Sequence, residues 1–120
     1  VPVCSAIALL LMGPLACAQK PVGKSAVLPK GFVAEYDVPY VPDGDPAQVL
    51  DIYYPEKRSA TPQPLLIWIH GGAWISGTKS QPPYLAQLPR GYIVASLEYR
   101  FSNVALFPAQ IQDCQSAIRW

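Results

Sequence analysis

The rhythm of apolar positions changes from stretch to stretch along this chain, and each rhythm points to a different element. From Phe32 to Val41 apolar and polar residues alternate, which puts Phe32, Ala34, Tyr36 and Val38 on one side of a pleat. Pro42-Asp43-Gly44-Asp45-Pro46 is dense turn chemistry, and Val49 to Tyr54 is a second run rich in strand formers. Two such runs about a turn predict a β-hairpin. Leu65-Leu66-Ile67-Trp68-Ile69 is apolar without alternation, so both of its faces should be covered, as in a parallel strand of an α/β sheet. Tyr92 to Leu97 repeats that pattern. Pro83 to Leu88 between them predicts a short helical crossover, completing a right-handed βαβ unit. Pro108 should open a helix at its favoured first position. In that helix Ile111, Cys114 and Ile118, with Ala117 beside them, recur at helical spacing as one apolar stripe. The fold class expected from this order is α/β.

The amino-terminal end reads differently. Residues 1–18 carry no charge, and Ala6 to Met12 is an apolar run too short for a bilayer, which takes about 20 residues. Helix-breaking Gly13-Pro14 and the small-residue triplet Ala16-Cys17-Ala18 follow. An apolar core before an A-x-A site is the pattern of a secretory signal peptide, cut here after Ala18, although the positive start of such a peptide is missing. The expected location is therefore secreted or periplasmic, with no stable membrane span. A lipid anchor on Cys17 ranks below simple cleavage, because Pro14 stands where such signals prefer a leucine-like residue. Residues 19–31 show no apolar periodicity and read as a flexible leader, and residues 32–120 as the domain. Gly23-Lys24-Ser25 has the tail of a phosphate-binding loop but lacks the earlier glycine and the preceding strand, so it is set aside.

Composition narrows the classes. Apolar residues make up 51% of the 120 and charged ones only 14%, which excludes an intrinsically disordered chain. A net charge of +1 without a basic run argues against nucleic-acid binding. Cleavage after Ala18 would leave Cys114 as the lone thiol, read as a core residue on its helical stripe. One histidine, His70, is too few for a zinc site built from His and Cys clusters, and neither a metal nor a cofactor is expected.

The chemistry lies directly after the first buried strand, in His70-Gly71-Gly72-Ala73-Trp74. Two glycines at the carboxyl end of a parallel strand let the backbone turn sharply and present consecutive N–H groups, which suit an anion or a carbonyl becoming an oxyanion. Here the chain resembles the α/β-hydrolase superfamily, whose lipases and esterases carry an HGGG-type loop after the third strand. Leu50-Asp51-Ile52-Tyr53 before Pro55, Gly91-Tyr92, Tyr99-Arg100, and Phe107-Pro108-Ala109-Gln110 followed by Asp113 and Arg119-Trp120 stand in family order. It looks most like the secreted esterases acting on feruloylated or acetylated plant polysaccharides.

That resemblance implies a serine carboxylesterase working through an acyl-enzyme, with a small-molecule or polysaccharide-linked ester as substrate. It assigns the backbone N–H groups of Gly72 and Ala73 as oxyanion-hole donors. His70 and Gly71 would shape the loop, and Trp74 would pack beneath or beside it. Ala73 replaces a third glycine, and a backbone donor tolerates that if φ stays negative. His70 is not the catalytic base, because that histidine comes last in the superfamily's chain order. None of the eight serines sits in G-x-S-x-G, so nucleophile, acid and base are expected beyond Trp120, where the nucleophile strand should pair with the remaining sheet edge. The chain would then be an amino-terminal portion, inactive alone. Arg100 and Asp113 form either an ion pair tying the post-strand loop to the last helix or two separate solvated charges. The tyrosines at 53, 54, 84, 92 and 99 read as strand and interface filling. Rival functions are a secreted serine peptidase of prolyl-oligopeptidase type and a non-catalytic hydrolase-like binding domain.

Overall fold

The computed structural model describes residues 26–120. The signal sequence, Cys4, Cys17 and the Gly23-Lys24-Ser25 triplet lie outside the described residues. Four strands, β1 (Phe32–Pro39), β2 (Val49–Pro55), β3 (Leu65–Ile69) and β4 (Ile93–Leu97), make one sheet in the order β1-β2-β4-β3. β1 and β2 pair antiparallel as the hairpin, β2 pairs antiparallel with β4, and β3 runs parallel to β4 with Leu65 opposite Ile93. A 3-10 helix over Pro83–Arg90 connects β3 to β4, and helix α1 (Ala109–Arg119) closes the order. Among the described residues no helix is long and apolar enough to cross a membrane.

Each face of the sheet has its own core. On the α1 side Tyr40, Leu50, Leu97 and Tyr99 pack with Cys114 and Ala117. On the other side Tyr53 and Val94 pack with Leu88 of the 3-10 helix. Ala26 and Leu28, which the sequence pattern places in the leader, pack against this second cluster together with Phe32, Ala34 and Tyr36. Apolar burial of this kind contributes about 25 cal/mol per Å².

Four expectations are corrected in detail. Val38 does not share a face with Phe32, Ala34 and Tyr36: the register of β1 against β2 shifts between Glu35 and Val38, where Asp37 has φ +55°, and Val38 crosses to the α1-side cluster. An added residue in one strand of a pair reverses every side chain beyond it. β4 is covered on both faces, but β3 is not, and its Leu65 and Ile69 are 49% and 41% exposed, because β3 is the outermost strand among the described residues. The buried face of α1 runs through Gln110, Asp113, Cys114 and Ala117, whereas Ile111 and Ile118 sit at its margins. Polar bonds set that rotation. Gln110 donates to the Ala105 carbonyl at 2.7 Å, and Asp113 is drawn inward by the donors described below. Ile118 and Trp120 instead line an apolar groove of about 250 Å³ against Leu65 and Ile67. Pro108 caps the helix from outside rather than standing as its first residue.

Candidate active site

The chain leaves β3 at Ile69 and passes through His70, which is 4% exposed, into a tight turn. The Gly72 carbonyl accepts from the Ile75 N–H at 3.0 Å, the Ser76 N–H at 3.1 Å and the Ser76 hydroxyl at 3.2 Å. Gly72, Ala73 and Trp74 have φ of +125°, +53° and +64°, so the turn winds left-handed. The expected negative φ at Ala73 is therefore corrected. Holding a residue with a Cβ in that region costs about 1–2 kcal/mol, and neighbouring contacts must hold it there. Trp74 meets the Tyr99 ring edge-on with centroids 5.1 Å apart, and its carbonyl accepts the Ser102 N–H at 2.8 Å and hydroxyl at 3.0 Å. At the start of such a turn the N–H groups have no carbonyl behind them. Among the described residues, neither the Gly72 nor the Ala73 N–H donates a hydrogen bond.

The glycines are not equivalent. A Cβ at Gly72 would stand 2.0 Å from the Ser76 carbonyl oxygen, and one at Gly77 would stand 2.2 Å from His70 Nδ1. A Cβ at Gly71 would meet nothing within 4 Å. Gly72 is thus required by backbone packing as well as by φ, and Gly71 by neither.

His70 packs flat on Tyr99, with centroids 4.5 Å apart and planes 16° apart. Its Nε2 lies 2.6 Å from Glu98 Oε1 and its Nδ1 lies 2.8 Å from the Gly71 carbonyl oxygen. Burial disfavours the charged ring, but the bonds to Glu98 and Gly71 outweigh it and raise the His70 pKa above its ordinary value. Behind Glu98 stands Lys79, 7% exposed, whose ammonium reaches Asp51 at 2.6 Å and Asp37 at 2.8 Å. Burial opposes that charge too, yet the two carboxylates raise the Lys79 pKa. Lys79 thereby ties the end of the loop to the irregular segment of β1 and to β2.

Arg100 and Asp113 form an ion pair. Asp113 accepts from Arg100 Nη2 at 2.7 Å, Arg100 Nε at 2.9 Å, the Arg100 N–H at 3.1 Å and Gln48 Nε2 at 2.7 Å. Burial would raise its pKa, but these donors hold the carboxyl below its usual range. Burial pushes the Cys114 thiol up, so it stays protonated. Tyr53 and Tyr99 are core residues at 1% exposure, Tyr54 is only part-buried and bonds Glu35, and Tyr84 is 41% exposed. Sequence reasoning missed Glu98 and Lys79. A glutamate ending an apolar strand is a readable sign for Glu98, since a charge there needs a partner. Lys79, in a loop with no periodicity, gives none.

The geometry is a strand, a left-handed turn with two N–H groups that donate to nothing among the described residues, and a clamped histidine behind it. The BD-FAE family matches residues 50–120, more than half of the chain. The chain belongs to the BD-FAE family. It is 35% identical to Esterase LipC of Mycobacterium tuberculosis over 79 residues, covering 63% of this chain and 20% of that protein. The crystal structure of Esterase B from Lactobacillus rhamnosis superposes with a TM-score of 0.62 at 32% identity, covering 78% of this chain and 30% of that one. A carbohydrate esterase from gut microbiota gives 0.62 at 33%, covering 72% and 32%. The chain spans about a fifth of the length of Esterase LipC and about a third of these structures. Its fold is the amino-terminal part of an α/β-hydrolase.

Proposed function

We propose that this BD-FAE segment supplies the oxyanion hole of a serine carboxylesterase, with Gly72 and Ala73 as the backbone donors. The observation that carries it is the pair of adjacent N–H groups, without acceptors among the described residues, at the start of the left-handed turn after β3. Donors fixed before the reaction stabilise charge that develops in the transition state and need no reorganisation. His70 has no free nitrogen to serve as base, because both face oxygen at 2.8 Å or less. The nucleophile, acid and base are placed beyond Trp120 in this proposal, consistent with the absence of a G-x-S-x-G serine here. The substrate class is an acetyl or feruloyl ester on a polysaccharide, a reading supported by the similarity to the gut carbohydrate esterase.

The test is covalent labelling with a fluorophosphonate, together with hydrolysis of p-nitrophenyl acetate. The intact protein is expected to label at one serine beyond Trp120 and to turn over the ester, and residues 26–120 alone to do neither. An intact protein that folds but neither labels nor hydrolyses would favour a binding domain, and labelling with peptide but no ester cleavage a peptidase. The protein is also proposed to be exported and cut after Ala18. Mass spectrometry of the exported form is expected to give Gln19 as first residue, and recovery of an intact Leu9-Leu10-Leu11 segment there would refute it.

A further inference from the structure

The carboxylate of Glu98 is engaged on both oxygens: Oε1 at 2.6 Å from His70 Nε2, and Oε2 accepting the Lys79 N–H at 3.2 Å. On the far side of the ring, Nδ1 stands 2.8 Å from the Gly71 carbonyl oxygen. A carbonyl oxygen only accepts, so Nδ1 carries a proton whatever the state of Nε2. That carbonyl belongs to the same planar peptide unit as the Gly72 N–H. Fixing the oxygen fixes the plane, and trans geometry sends the N–H the opposite way. We infer that Glu98 is a positioning residue: acting through His70, it clamps the Gly71 carbonyl and so aims the Gly72 N–H at the place where the substrate oxyanion develops. This rests on the proposed esterase function and adds to it a residue and a mechanical link.

Three features make the link stiff. The backbone of Gly77 lies against the clamp, since a Cβ there would come within 2.3 Å of both Nδ1 and the Gly71 oxygen, and so it leaves the ring no room to move toward it. The Tyr99 ring stacks on the imidazole while its hydroxyl donates to the His70 carbonyl at 3.0 Å, so the ring cannot tilt or turn over. Glu98 is itself held through Lys79, whose carbonyl also accepts the Ser96 hydroxyl and whose ammonium is fixed by Asp37 and Asp51. The polar and charged groups facing the imidazole are Glu98 and the Tyr99 hydroxyl after β4 and the Gly71 carbonyl on the loop, with the Phe101 and Trp68 rings closing the remaining sides. A bond accepted at one end of a peptide also polarises it, which strengthens the donor at the other end.

The experiment compares Glu98→Ala, Glu98→Gln, His70→Phe and the double variant Glu98→Ala/His70→Phe in the intact enzyme. Active sites are counted by phosphonate titration, and the His70 ring nitrogens and Gly72 amide are followed by NMR. Glu98→Ala is expected to lower kcat per titrated site about tenfold or more with KM within about twofold, the signature of a lost transition-state contact. Glu98→Gln should recover most of that rate, because its amide donates to Nε2 and leaves the proton on Nδ1. The double variant should be no slower than His70→Phe, since the two residues act as one unit. A kcat per titrated site that stays normal in Glu98→Ala, or additive losses in the double variant, would overturn the inference while leaving the esterase reading intact. If the wild type hydrolyses no ester, that reading fails and NMR alone decides the clamp. A protected Nδ1 proton and a Gly72 amide resonance that moves in Glu98→Ala support it, and an unmoved Gly72 resonance overturns it.

Discussion

Gly72→Ala in the intact enzyme is expected to lower kcat by about 10²–10³-fold, the usual effect of losing one oxyanion donor, while KM changes little. The added Cβ would stand 2.0 Å from the Ser76 carbonyl oxygen and 2.5 Å from its carbon, both backbone atoms that cannot swing aside. Its φ of +125° is also one that alanine rarely adopts. The turn must therefore open, and the Gly72 and Ala73 N–H groups leave their present directions. Because the oxyanion exists only in the transition state, a misplaced donor reduces turnover far more than substrate binding. Gly91→Ala is the control for backbone strain alone. Gly91 has φ +91° at the end of the 3-10 helix, and a methyl group added there would meet nothing within 4 Å, so the change should cost about 1 kcal/mol of stability and leave kcat alone. Normal turnover by a folded Gly72→Ala enzyme would mean that the loop is only a turn.

Asp113→Ala should be the most destabilising change in the α1 region, by about 2–4 kcal/mol, because it leaves one half of a partly buried ion pair and a buried amide donor without their acceptor. Asp113 is 1% exposed and its carboxylate accepts four hydrogen bonds, so its removal leaves Gln48 Nε2 and part of the Arg100 guanidinium without their acceptor. A solvated surface pair would contribute only about 0–1 kcal/mol. The measurement is the urea midpoint of the intact protein at neutral pH, and a loss under about 1 kcal/mol, the surface-pair range, would return the pair to the surface class. The acid limb gives a second check. With the folded-state pKa lowered, the pair's contribution is complete above the ordinary carboxylate value and is lost as pH falls through the folded one. Wild type and Asp113→Ala should therefore converge in stability as the pH is taken below about 4.

Most of the scaffold is readable because its signals are local. Alternation names the hairpin, two unbroken apolar runs name β3 and β4, and the Gly-Gly pair after β3 marks the turn. Val38 lies on the opposite face from the one alternation gives it, because a one-residue irregularity in β1 has no signature in a sequence whose alternation continues through it. The stripe through Ile111 and Ile118 departs from the buried face of α1 for a different reason. Helical spacing weighs apolar residues, whereas the rotation of α1 is set by two polar side chains, Gln110 and Asp113, whose bonds reach residues 5 to 65 positions away. Glu98, His70 and Lys79 meet across 19 to 28 positions, and no periodicity relates them.

The three-way tie at Lys79 has a consequence for when the turn acquires its order. Its ammonium joins the far end of the loop to Asp37 on β1 and Asp51 on β2, while Ser76 and Ser102 hold the near end by main-chain carbonyls. Both ends are therefore immobilised as soon as the hairpin and β4 assemble. The loss of conformational freedom in residues 70–79 falls on the folding reaction, once per molecule, and not on each encounter with a substrate.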